Sequence, residues 1–369
     1  MRPPDAWVSD KRPSILGIPN AILAHFGAAA HHEPLPLLAE TLEKGWKNVV
    51  LLIFDGMGSD MLERNIPDGF FLRHRAADLA SVFPCTTTSA LTTYESGLSP
   101  AEHGWLGWCC YFPEIGKCVD LFSGHESGTD RPAADGGNIA WKRLGFRNIQ
   151  DQIRGAKCYS VSPFSKHRAG SCEEVCRWLR RLCRRPGRKY IYAYHFQPDH
   201  DMHRCGCTAD QVRDMVGDFQ RQVERLSRQL KRTLLIVTAD HGLKDTDRAC
   251  LEDYPEIWEC FAAPPSREPR NLSFHIKPDY YDAFPGRWNA RFGDDFVLMT
   301  GEEALAQGIF GPGAPHALAR DFVGDYVALA VGNLALWRRN EKGEANRFVA
   351  NHAGSSPEEM TVPLILIET

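Results

Sequence analysis

Five separated pieces of this chain offer the carboxylates, imidazoles and hydroxyls that hold divalent cations. Thr238-Ala239-Asp240-His241-Gly242 directly follows the apolar run Leu234-Leu235-Ile236-Val237, and Val49–Phe54 runs into Asp55-Gly56. Asp199 and His203 stand four residues apart, and Asn351-His352-Ala353-Gly354 adds a late imidazole. Val82-Phe83-Pro84-Cys85 leads into Thr86-Thr87-Thr88, where a hydroxyl nucleophile would be useful.

Zinc accepts imidazole nitrogen and carboxylate oxygen, usually four ligands in all, and a catalytic site keeps one position open. Asp199 and His203 can share one face of a helical turn; with His352 they make three ligands and a vacancy. Asp55, Asp240 and His241 make a second set, whose vacancy Thr87 Oγ1 can fill. Two cations roughly 4 Å apart stabilise the attacking and leaving oxygens of an in-line phosphoryl displacement. A hydroxyl beside such a cation loses its proton more readily and needs no histidine base. Each piece has a duller reading when taken alone. An Asp at a strand end is often a helix cap, His203 could be a surface residue, and the threonines a polar turn. His195, His200 and Asp201 read as background, with Asp201 a substitute for Asp199 if the alignment slips.

The positioning elements are legible. The runs 49–54, Tyr190–Tyr194, Leu234–Val237 and Val362–Ile367 are almost continuously apolar, as strands covered on both faces are. Helical patterns occupy Ser59–Asn65, 89–98 with Gly97 as the stop, 171–184 and 208–231. In the last, Val212, Met215, Val216, Phe219, Val223, Leu226 and Leu230 recur mostly three or four apart. Strands alternating with helices predict an α/β fold with a mainly parallel central sheet flanked by helices. Sites in such sheets lie beyond the carboxyl ends of the strands, where Asp55, Asp199 and Asp240 fall. Residues 1–45 read as a loop-rich decorating segment, 46–244 with 346–369 as the catalytic core, and 245–345 as a cap or insertion. Within the core, 103–138 lacks periodicity and reads as irregular. The cap is dense in aromatics, among them Tyr280, Tyr281, Phe284 and Trp288, which could hold substrate or form a satellite core.

With 369 residues, 43% hydrophobic and 24% charged, the composition is that of a globular protein. A formal net charge of -4 gives no reason to expect a nucleic-acid polymer as partner. No run is long enough to span a bilayer, and Met1–Trp7 does not open a signal peptide, so the expected location is cytoplasmic. Twelve cysteines then read as free thiols rather than disulfides. Cys205-Gly206-Cys207 could bind metal, and Cys172, Cys176 and Cys183 fit one side of a helix.

These motifs, in this order, resemble the alkaline phosphatase superfamily, and within it the type I phosphodiesterase/nucleotide pyrophosphatase branch. The matching pieces are Phe54-Asp55-Gly56-Met57, Phe83-Pro84-Cys85-Thr86-Thr87, Gly97-Leu98-Ser99-Pro100-Ala101-Glu102-His103-Gly104, Asp199–His203, Thr238–Gly242 and Asn351–Gly354. The resemblance implies an alkaline phosphatase-like fold and two divalent metal ions, Zn2+ or else Mn2+. It implies that Asp199, His203 and His352 hold one metal and Asp55, Asp240 and His241 the other. The resemblance also implies a nucleophilic threonine three residues after the proline and ten before the glycine of these motifs, a place that Pro84 and Gly97 both give to Thr87, with a phosphothreonine formed there and the Thr88 backbone N–H binding a phosphate oxygen. The substrate is then a small phosphoester, a phosphodiester or pyrophosphate of nucleotide type. Where the nucleotide pyrophosphatases carry an asparagine, twenty-one residues after the nucleophile, this chain has Trp108. Trp108 could stack on a base or act as a structural wall. The alternatives are a phosphonate or phosphomonoester hydrolase of the same superfamily and a catalytically silent metal-binding scaffold.

Overall fold

A computed structural model describes residues 13–369. The seven-stranded main sheet runs Arg75–Ala80, Thr361–Glu368, Thr233–Thr238, Asn48–Phe54, Lys189–His195, Lys157–Ser162, His167–Arg168. The five strands from Thr233–Thr238 to His167–Arg168 are parallel neighbours, while Thr361–Glu368 runs antiparallel to both strands beside it. The α/β architecture with a mainly parallel, helix-flanked sheet is therefore as the sequence predicts. The three central strands are buried along their whole length. That is why they show no polar alternation.

Helices cover the sheet through their apolar stripes. Asp210–Ser227 buries Val212, Val216, Phe219, Val223 and Leu226, and Cys172–Cys183 buries Cys172, Val175, Leu179, Leu182 and Cys183. Gly97 stops the helix Thr87–Ser96 in the left-handed conformation its sequence position suggests. Two outer strands, Arg75–Ala80 at one edge and Lys157–Ser162 next to the other, escaped the sequence reading because their partial exposure breaks the apolar run. Residues 1–12 lie outside the described residues. The rest of the N-terminal segment is less loop-rich than expected. It folds into helices Gly17–His25 and Pro36–Leu42, whose Ile18, Ile22, Leu23 and Leu38 join the main core.

The stretch 103–138 is not irregular throughout. Cys109–Phe112 and Lys117–Asp120 form a hairpin that joins a second, six-stranded antiparallel sheet through Arg267 opposite Cys109. The other strands are Ser266–Glu268, Asn271–Phe274, Phe296–Thr300 and Tyr326–Ala330. Four-residue strands are too short to carry a periodic signal. The aromatics of 261–296 form a satellite core: Phe274, Phe284 and Trp288 are fully buried against one another. All twelve cysteines are free thiols. Among the described residues no helix is long and apolar enough to cross a membrane.

One buried ion pair ties the two sheets together. Arg270, between two strands of the second sheet, donates through Nε and Nη2 to both oxygens of Glu359 at 2.7 and 2.8 Å. Its remaining donors go to the carbonyls of Leu334 and Gly332. Glu359 ends the short helix that leads into Thr361–Glu368 of the main sheet. Removing one partner of such a pair leaves a buried charge without compensation. Glu359→Ala is therefore expected to cost about 3–5 kcal/mol, and the double change Arg270→Met with Glu359→Leu considerably less. Urea unfolding followed by tryptophan fluorescence measures both; equal losses would show that the pair is not what holds the sheets.

Candidate metal centre and nucleophile

Asp55 directly follows the strand Asn48–Phe54, Asp240 lies two residues past Thr233–Thr238, and Asp199 four past Lys189–His195. These are neighbouring parallel strands, so their ends lie side by side. Backbone bonds lock the loops: Asp55 N–H donates to His195 O, and Asp199 N–H to Asp55 O. Gly56, with φ of +72°, turns the first loop so that its own N–H reaches Asp240 Oδ1 at 3.0 Å. A Cβ there would lie 2.9 Å from that of Asp199, so both the turn and the close approach require glycine. Gly242 is as tightly held, since a Cβ would meet Glu358 O at 2.1 Å.

The histidines arrive by different routes. His203 sits one turn after Asp199 in the helix Asp199–Cys205, and its Nε2 lies 3.3 Å from Asp199 Oδ2. His352 follows Ala350–Asn351, which pairs with Lys244–Asp245 just past the Asp240 loop. It stacks on His241 with ring centroids 3.9 Å apart, and His203 lies 5.2 Å from it. Two sets of ligand atoms lie within 4.8 Å of one another: Asp55, Asp240 and His241, and Asp199, His241 and His352. All six acid and imidazole residues singled out in the sequence thus meet in one place. His241 touches both sets, while His203 reaches the second through Asp199. Asp201, Cys205 and Cys207 belong to neither. Cys205 Sγ donates to Asp201 O, and Cys207 N–H to Asp245 Oδ1.

The chemistry of this donor set fits divalent cations. His203 Nδ1 is 2.7 Å from Ala350 O and His241 Nδ1 is 3.1 Å from Gly242 O. A carbonyl only accepts, so each Nδ1 carries a proton, and in the neutral imidazole each Nε2 then keeps its lone pair for a cation. His241 Nε2 points at Asp55 Oδ1 (3.4 Å) and Asp240 Oδ2 (3.5 Å). Asp240 Oδ2, Asp199 Oδ1 and His352 Nδ1 are buried with no hydrogen-bond partner among the described residues. Buried polar atoms left this way are costly unless a ligand satisfies them. Burial pushes the Asp55 carboxyl well above its ordinary range, and the charges of Asp240 and Asp199 push it further. At Asp199 burial acts upward too, but His203, His352 and His241 outweigh it and the net shift is downward. Burial and the neighbouring His241 hold His352 well below the usual imidazole value, leaving it neutral and able to ligate.

Of three consecutive threonine hydroxyls, one faces this cluster. Thr87 Oγ1 lies 3.2 Å from His241 Nε2 and 3.5 Å from Asp55 Oδ1. Thr86 Oγ1 donates to Glu268 Oε1 at 2.6 Å, and Thr88 Oγ1 to Gly107 O at 2.8 Å. Thr87 opens the helix Thr87–Ser96, so the Thr88 N–H is among the first-turn amides with no carbonyl a turn earlier to accept it. Thr87, Asp199, His203 and His352 line a cleft of about 1030 Å³ together with Trp108 and Glu268. Trp108 is 45% exposed there; its ring meets Phe122 edge-on, and it is not buried as an anchoring wall would be. Tyr280, Tyr281, Phe284 and Trp288 do not line the cleft; Phe284 and Trp288 belong to the satellite core, Tyr280 packs against it, and Tyr281 is exposed.

Sequence reasoning missed two neighbours. Tyr194, last but one in its strand, donates its hydroxyl to Asp55 Oδ2 in a short bond. Its place at a strand end beside Asp199 was a usable signal. Glu268, in the second sheet, accepts from both Thr86 and the Trp108 N–H, each at 2.6 Å. Burial raises it to about 7, and no motif in the sequence announces it.

The like charges make a pH prediction for the metal-free protein. A carboxyl whose folded pKa is raised binds its proton more tightly when folded. Its contribution is therefore full below the unfolded pKa, near 3.8 for Asp55, and is lost as pH rises toward the raised folded value. In chelator, Asp55→Asn is expected to raise the melting temperature at pH 7 and to matter little at pH 4. Melting curves at the two pH values check this; a variant less stable at pH 7 would mean that Asp55 is not strained by its neighbours.

Residues 49–262 match the type I phosphodiesterase/nucleotide pyrophosphatase family. No curated protein matches the chain by sequence. Among solved structures, murine ectonucleotide pyrophosphatase/phosphodiesterase 5 superposes with a TM-score of 0.62 at 16% identity, covering 86% of this chain and 87% of that one. Phosphonoacetate hydrolase from Sinorhizobium meliloti 1021, in complex with phosphonoformate, superposes with a TM-score of 0.63 at 18% identity, covering 88% and 91%. Both likenesses are of fold. With the family match extending over more than half its length, this chain belongs to the type I phosphodiesterase/nucleotide pyrophosphatase family, hydrolases of the alkaline phosphatase superfamily.

Proposed function

We propose that the chain is a two-metal phosphodiesterase or nucleotide pyrophosphatase acting through a phosphothreonine on Thr87. The observation that carries this reading is that the Thr87 hydroxyl faces the acid–imidazole cluster while its two neighbours are tied elsewhere. Asp55, Asp240 and His241 would hold one divalent cation, with Thr87 Oγ1 beside it, and Asp199, His203 and His352 the other. Bound there, Zn2+ or Mn2+ supplies positive charge that eases deprotonation of the attacking hydroxyl and offsets charge on the leaving oxygen.

Thr87 Oγ1 forms the bond to phosphorus as the bond to the leaving alcohol or phosphate breaks. The Thr88 N–H, at the positive end of its helix, donates to a non-bridging oxygen that gains charge in the transition state. Water then cleaves the phosphothreonine and restores the hydroxyl. Trp108 offers an exposed indole face to the group attached to phosphorus. A nucleotide-type substrate is supported by the family, and by the murine neighbour, whose Thr-to-Ala inactive form was solved with AMP. The phosphonate reading draws on the second neighbour, solved with phosphonoformate and phosphonoacetate.

Chelation is expected to abolish hydrolysis of an aryl phosphodiester, with zinc or manganese restoring it. Thr87→Ala should lose several orders of magnitude in turnover yet keep its metals by elemental analysis, whereas Thr86→Ala and Thr88→Ala retain far more. Full activity in excess chelator, or Thr86→Ala as the dead variant, would sink the assignment. Trp108→Ala is expected to weaken nucleotide substrates by roughly one to two orders of magnitude, the scale of a lost base stack, and a small aryl diester less. Equal losses on both, with a lowered melting temperature, would make Trp108 structural.

A further inference from the structure

Glu268 stands at the cleft with one oxygen spent and one free. Oε1 accepts both the Thr86 hydroxyl and the Trp108 N–H at 2.6 Å. Oε2 accepts nothing from the described residues, although the side chain is only 6% exposed and lines the cleft beside Thr87. The backbone is shaped to put it there. Arg267, next to it, is buried with φ of +80°, a conformation that a non-glycine residue adopts only when its surroundings enforce it. The Arg267 guanidinium does not neutralise Glu268. It is aimed at Leu106 O (2.9 Å) and Ser273 Oγ (3.3 Å), with Nη2 unpartnered.

We propose that Glu268 is a specificity-determining residue whose negative charge sets the cleft against doubly charged phosphoryl groups, favouring diesters over monoesters and phosphonates. This rests on the reading of Thr87 as nucleophile. Both oxygens of Glu268 are fixed by the bonds on Oε1, one of them to the residue preceding Thr87. Its carboxylate lines the same cleft as Thr87, Asp199, His203 and His352 and is bonded to the residue before Thr87, so it faces the space a phosphoryl group on Thr87 would occupy. A diester carries one negative charge, whereas a monoester at pH 7 carries close to two. The extra charge must be placed opposite a carboxylate in an enclosed site, where like charges repel most strongly. Burial raises Glu268 to about 7, and the Thr86 and Trp108 bonds and His241 offset only part of that rise; divalent cations in the adjoining cluster would favour the carboxylate further, and the comparison that tests this is made at about pH 8.5, where the group is ionised.

The test compares kcat/KM for bis(4-nitrophenyl) phosphate and 4-nitrophenyl phosphate in the metal-loaded protein and in Glu268→Gln. Glutamine keeps the oxygen that accepts from Thr86 and Trp108, and loses only the charge. The monoester-to-diester ratio is expected to rise about tenfold or more, mainly through gain on the monoester. A second arm reads binding without turnover: inorganic phosphate and dimethyl phosphate titrated calorimetrically into metal-loaded Thr87→Ala, with and without Glu268→Gln. Inorganic phosphate should tighten by a similar factor and dimethyl phosphate by much less. A ratio unchanged within about twofold, or equal losses on both substrates, overturns the proposal and leaves Glu268 as a clamp on Thr86 and Trp108. If Glu268→Gln does not fold, Glu268→Ala removes the same charge and is read in the same two arms. Wild-type protein that hydrolyses neither ester would remove the phosphodiesterase reading instead, while the titrations would still decide whether Glu268 discriminates by charge.

Discussion

Three carboxylates at the ends of three adjacent parallel strands are the constraint around which this molecule is arranged. Parallel strands point the same way, so whatever follows each of them must share one edge of the sheet. Here Asp55, Asp199 and Asp240 follow, and their mutual repulsion in an enclosed site opposes folding. The chain answers with donors rather than with lysine or arginine. Gly56 N–H bonds Asp240, Tyr194 bonds Asp55, and His203 stands beside Asp199. None of these cancels a charge outright. The site stays short of positive charge, with ligand atoms facing inward, which is the condition under which divalent cations bind tightly and stabilise the fold that gathers them.

Holding such a site requires the second sheet to be rigid against the first. Glu359 does this from the centre. Besides Arg270, its Oε1 accepts the Gly354 N–H at 2.8 Å, and its own carbonyl accepts the Gly242 N–H at 2.8 Å. One residue therefore fixes the loop after His352, the loop after His241 and the sheet that carries Glu268. The pair costs desolvation, yet its geometry explains why histidines from distant parts of the chain can stack at 3.9 Å. A hydrophobic replacement could match its contribution to stability and would keep the carbonyl bond to Gly242, but would lose the directional side-chain bonds to Arg270 and to the Gly354 N–H.

What the sequence revealed and what it hid follow from the range of the forces involved. Asp55, Asp199 and Asp240 were legible because each sits at the end of an apolar run, a signal carried by consecutive residues. Thr87 was singled out by its spacing from Pro84 and Gly97, and of the three threonine hydroxyls its own faces the acid–imidazole cluster while Thr86 and Thr88 bond elsewhere. The hairpin Cys109–Asp120 was not legible, because its two strands are short and are held by Arg267, which lies 158 residues from Cys109. Glu268 and Glu359 were hidden for the same reason. Each acts across the chain, on Thr86 at a separation of 182 residues and on Arg270 at 89. The aromatic run at 280–288 left two readings open, a binding surface or a satellite core; Phe284 and Trp288 close such a core, and none of the run lines the cleft.

The division of labour between the two sheets follows from these ranges. The strand ends of the main sheet place Asp55, Asp199, Asp240 and His241, and elements next to them bring His203, His352 and Thr87 to the same point. The second sheet reaches the same cleft with residues that have no such constraint. It carries Trp108 at the end of one strand and Glu268 in the next, joined by a single hydrogen bond. A change in one is therefore felt at the other, and at Thr86, which precedes Thr87. The Trp108 backbone N–H orients Glu268, so this pair from the second sheet can change the lining of the cleft without disturbing the cluster that the strand ends define.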